Sequence, residues 1–210
     1  MNDQKPTPQE SMAIITRMIE ASKQRRSMPD LRISVMWAVL TIVTALIVLL
    51  VRLIHYTPWI NFVWFAIPVI GLPANYFLVA RSKADKGAKT AIDVFSDGIW
   101  RIVGFIAIML TAVCLVFNLM GYPQAWLAMF FYAFIVVGFG AAMQGVVLKE
   151  NSYIFGGMFS IMSGFVLIAM GICNFNLHIA FVFPLYILCF LLMFIVPAII
   201  IRKKFNARKQ

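Results

Sequence analysis

Between Arg101 and Lys149 the chain carries no Lys, Arg, Asp or Glu, and the same holds between Glu150 and Arg202. Each stretch holds two apolar spans of about 20 residues joined by a short turn. In lipid every backbone N–H and C=O must be satisfied within the structure itself, and runs of this length without polar alternation meet that demand only as helices. The turns are marked inside the runs. "NLMGYPQ" (118–124) and "CNFNLH" (173–178) carry the Gly, Pro and Asn that open loops. The rest of the 210-residue chain follows suit, since 62% of it is hydrophobic and only 12% charged. Six spans fit, at about 33–54, 59–80, 99–119, 124–147, 153–173 and 178–201, with "HYTP" (55–58) dividing the first pair. The expected fold is all-α and polytopic, three helical hairpins in a transmembrane domain (33–201), preceded by an amphipathic cytoplasmic segment (1–32) and followed by a basic tail (202–210).

Basic residues flanking spans favour the cytoplasmic side. All of the 18 except Arg52 fall at one set of ends, together with all eight acidic residues. The expected topology therefore has both termini in the cytoplasm of a bacterial inner membrane. The net charge of +10 then lies at the cytoplasmic face. Anionic lipid head groups are its simplest partner, and no nucleic acid is needed. About thirty polar residues precede the first apolar run, so a cleavable signal peptide is not expected.

"TPQESMAIITRMIEASKQRR" (7–26) opens with Thr7 as a helix cap, Pro8 in the first helical position and Glu10 three residues after the cap. Met12, Ile14, Ile15, Met18 and Ile19 share one arc of a helical wheel and Arg17, Glu20, Lys23 and Gln24 the other, which predicts an amphipathic helix on the membrane surface or on a partner. In the loop 81–98, Gly87 separates a charged half from one able to be helical.

The chemistry available at depth is limited. No Asp, Glu or Lys lies deep in a span, and no catalytic motif is visible, so the chain is not expected to be an enzyme. Cys114, Cys173 and Cys189 form no CxxC pair and are taken as small packing residues; neither a metal nor a cofactor is expected. The polar groups that remain are Asn75, Gln144 and Ser160, each roughly 6–10 Å from the cytoplasmic ends of spans two, four and five at 1.5 Å per residue. Equal depth makes Asn75 with Gln144 the preferred interhelical pair. Span two also holds Pro68, Gly71 and Pro73. The prolines withdraw hydrogen bonds from the carbonyls of Trp64 and Val69, which predicts a kinked or unwound stretch facing other helices or a small polar cavity. Gly138 with Ala142, Ala141 with Gly145, and Gly156, Ser160 and Gly164 recur at the four-residue spacing that lets helices approach closely. Phe-Asn-Leu occurs at 117–119 and again at 175–177, a faint trace of hairpin duplication weighed here against coincidence.

Taken together, "ESMAIITRMIEASKQR", "SVMWAVL" and "VWFAIPVIGLP" resemble the opening third of a group of small, uncharacterised six-span membrane proteins of Bacteroidota. The resemblance implies topology and location and brings no activity. Two functions fit the residues. One is a non-enzymatic accessory, sensor or scaffold component acting through a protein partner or as a homo-oligomer. The other is a channel or uniporter for a small, weakly charged solute, with the broken second span as its cavity.

Overall fold

The computed structural model describes residues 31–54, 58–86, 91–176 and 178–207, with Met12 and Thr16 in addition. The amphipathic helix anticipated at 7–26 otherwise lies outside the described residues. Among the described residues the fold is all-helical, with six helices long and apolar enough to cross a membrane. The first span is α1 (Leu31–Ile54). A 3₁₀ segment (Pro58–Phe65) leads into α2 (Ala66–Lys86), and α3 (Ala91–Leu119) forms the third span. A short 3₁₀ turn (Pro123–Trp126) opens α4 (Leu127–Leu148), and α5 (Asn151–Ile172) follows. The sixth span is α6 (Ile179–Phe190), a π-helical turn (Leu191–Ile195) and α7 (Val196–Ala207) in continuous succession. Two edges differ from expectation. α3 begins well before 99, taking the second half of the 81–98 loop into helix, and α7 runs past 201 without a break, so helix continues into the tail.

The last three turns share one device. Gly121, Lys149 and Asn174 all have positive φ, at 91°, 56° and 59°. In each case the next amide reaches back to close the helix end: Tyr122 N to Phe117 O, Glu150 N to Gly145 O and Phe175 N to Met170 O, all at 2.9 Å. These are Schellman caps, which use up terminal carbonyls that lipid could not satisfy. They also settle the apparent repeat. Phe117–Leu119 end a helix before the left-handed residue, whereas Phe175 and Asn176 come after it, so the two triplets occupy different structural positions.

Spans one, four, five and six form the core of the bundle, with span two on the flank of α1 and span three on the flank of α4. The sixth span is the hub and touches all five others. It packs on α1, meets span two through Trp64 and Phe183, span three through Trp100 and Phe194, and span four through Phe130 and Tyr186. Against α5, the Leu192 carbonyl of the π-turn lies directly on Gly156, where any side chain would collide with it. Pro197 explains the turn: it has no N–H to offer the carbonyl of Met193 four residues back, and the ladder resettles one turn earlier in wider form.

Candidate functional site

The region that sequence singled out lies on four different helices. In span two, the break is displaced from where the prolines suggested it. Helical geometry tightens to 3₁₀ over Pro58–Phe65 and the α-helix starts at Ala66, which puts Pro68 in the first turn, where an N–H would have no intrahelical partner anyway. Pro73 sits inside α2, and both prolines are exposed on the outer surface of the bundle. The expectation of an unwound stretch around 68–73 lining a cavity is therefore corrected. Only Gly71 of that group turns inward, and the Trp37 indole fills the space its side chain would need. The glycine is there to seat a tryptophan.

Asn75 and Gln144 are not a pair. Span two packs on α1, and no hydrogen bond joins the two amides among the described residues. Their depths do agree. Because α1 and α2 run antiparallel with Trp37 over Gly71, Asn75 comes level with residues 33–34 of α1. Ser34 lies near the buried Tyr153 hydroxyl of α5, and the Tyr153 Cβ lies against Gly145, the neighbour of Gln144. The two amides thus share a level without a hydrogen bond between them. Gln144 is 8% exposed and its Oε1 accepts no hydrogen bond among the described groups. Ser160 is spoken for: its hydroxyl donates to the Phe134 carbonyl at 2.9 Å and ties α5 to the backbone of α4.

The small residues mark the tightest seam. A Cβ on Gly157 would stand 2.5 Å from the Ala142 nitrogen and the Gly138 oxygen; one on Gly145, 2.6 Å from the Ile154 nitrogen; one on Gly164, 2.9 Å from the Phe134 Cβ. Gly138 faces the same seam, across from Ser160 and Ile161. Gly156 belongs to a different contact, against the π-turn.

What sequence inspection missed is the column of rings inside the bundle. Trp64 meets Tyr186 at 5.9 Å between centroids; Tyr186 stacks on Phe130 at 4.9 Å and meets Phe134 at 5.6 Å and Phe190 at 4.8 Å. Phe190 continues to Phe194 at 5.9 Å, and Phe194 to Trp100 at 5.6 Å. Phe183, Tyr186, Phe190 and Phe194 recur every three or four residues, a periodicity hidden among so many apolar neighbours. Edge and offset contacts of this kind hold rings in place beyond simple burial. The column follows the hub for about 16 Å of helical rise. A cavity of about 420 Å³ lies off this axis, an open apolar cleft between spans three and four lined by Leu110, Val113, Cys114, Phe117, Gln124 and Ala128. The Cys114 thiol donates to the Ala125 carbonyl at its edge.

At the basic end, Lys204 of α7 meets Glu150 of the α4–α5 turn at 2.6 Å. Compared with family models, with curated proteins and with solved structures, the chain finds no match.

Proposed function

We propose that the chain is a non-enzymatic component of a bacterial inner membrane, with both termini cytoplasmic, that acts as an accessory, sensor or scaffold through protein partners or further copies of itself. The observation that carries this reading is the column of rings. Aromatic side chains occupy the axis where a conduit between six spans would have to run, and Pro68 and Pro73, the residues assigned to a conduit, face outward. A channel or uniporter would need a path that avoids these rings. The thinly packed second and third spans, joined by a charged cytoplasmic segment, supply the surface that a membrane partner would use. The basic ends of the spans, with a net charge of +10 over the chain, suit anionic head groups. Kinship with the six-span Bacteroidota proteins is proposed on the same footing. It gains interest from the contact between Trp37 and Gly71, since each comes from one of the motifs that carry the resemblance.

The test is isolation of the natively expressed, C-terminally tagged protein in mild detergent, with the mass of the intact complex. A stoichiometric second protein or a defined homo-oligomer is expected. A monomer that also conducts a small solute in proteoliposomes would overturn the reading.

A further inference from the structure

The outward face of α7 carries basic side chains that no ion pair among the described residues neutralises. α7 buries Pro197, Ala198 and Ile201 against the bundle. Its opposite face shows Ile199, Arg202, Lys203 and Asn206, all exposed. Ile199 is the last large apolar side chain exposed among the described residues, and Arg202 and Lys203 follow within one turn. The next residue, Lys204, points elsewhere and is held by Glu150. Glu150 is the only acidic side chain after Asp97, and Lys204 already holds it. Among the described residues no ion pair engages Arg202 or Lys203.

We infer that Arg202 and Lys203 form a binding site for the phosphate of an anionic phospholipid in the leaflet at the basic end of the spans. The inference rests on the reading that this end meets anionic head groups and adds where the lipid is held. Charge complementarity selects the partner, because a diester phosphate with no choline or ethanolamine beside it has no internal cation to compete with two basic side chains. The division of labour follows from one turn of helix: Lys204 holds the α4–α5 turn, and its two predecessors hold lipid. Exposed basic residues at a membrane surface each strengthen such binding several-fold.

The experiment is native mass spectrometry of the full chain, titrated with phosphatidylglycerol or with phosphatidylcholine of the same acyl chains. Wild type is expected to bind phosphatidylglycerol in preference. Arg202→Gln with Lys203→Gln should lower that preference on the order of tenfold. Lys204→Gln, which removes one charge from the same turn, should leave it within about twofold, and Arg202→Lys with Lys203→Arg should restore it. Elution of each variant as wild type on size exclusion establishes that it is folded. A selective wild type whose double Gln variant is equally selective overturns the site and leaves the broader reading standing. A wild type with no preference for the anionic lipid overturns both. If Lys204→Gln loses as much as the double variant, binding follows total charge and the site is overturned.

Discussion

Spans four and five meet backbone to backbone, while spans two and three barely enter the bundle. The contrast is not one of apolarity, since the third span is more hydrophobic than the fifth. Lipid is as apolar as leucine, so burial brings no hydrophobic gain between helices, and what holds them is close packing and interhelical hydrogen bonds. Spans four and five have both: glycines at four-residue spacing and the Ser160–Phe134 bond. Span three is tied by the Tyr132 hydroxyl to the Val103 carbonyl at 2.7 Å and by the weaker Cys114 thiol to the Ala125 carbonyl at 3.2 Å, and a Cβ on its Gly104 would meet nothing within 4 Å. Span two has the Trp37–Gly71 contact.

Substitutions at glycine separate the two regions most sharply. Gly157→Leu should abolish the folded bundle, because its neighbours are backbone atoms of α4 and nothing can move aside; overpacking of even flexible cores costs about 1–3 kcal/mol. Loss of the monodisperse peak on size exclusion is the expected readout. Gly71→Leu displaces a side chain, Trp37, and should release span two while the core survives. Rapid proteolysis within the 82–90 segment, with the two fragments still co-eluting through span one, would be its signature. Equal damage from both substitutions would erase the distinction between core and flank.

Smaller effects sharpen it. Lys149 holds a left-handed conformation that costs a non-glycine residue about 1–2 kcal/mol, so Lys149→Gly should raise resistance to unfolding in detergent by about 1 kcal/mol. Lys204→Ala breaks a largely exposed ion pair and should cost at most about 1 kcal/mol, less in high salt. Gly104→Ala faces open space and should be neutral or stabilise α3 by about 0.5–1 kcal/mol, the reverse of any glycine in the seam.

The span count and the turns at Gly121 and Asn174 were legible because absent charge and turn chemistry are local properties of the chain. The turn at Lys149 was less so, since its left-handed residue is not one that favours that conformation. The site was harder. Counting residues from a span end gives depth and says nothing of direction around the bundle, and for that reason Asn75 and Gln144 came out at one level yet unpaired. The breakers Pro68, Gly71 and Pro73 looked like one feature, but two face outward and the third answers to Trp37, over thirty residues earlier. The rings of the hub went unnoticed because an aromatic stripe does not stand out in a segment that is apolar all round, and only Pro197 hinted at the π-turn.

The most direct test of the packed hub uses the native cysteines. Cys189 lies inside the sixth span at 0% exposure and Cys114 at 1%, whereas Cys173 is exposed at the α5–α6 turn. Intact cells would be treated with a membrane-impermeant maleimide and each cysteine quantified by mass spectrometry. The account predicts labelling of Cys173 and none of Cys189 or Cys114. Labelling of Cys189 at a rate comparable to Cys173 would put water on the axis of the bundle and contradict it.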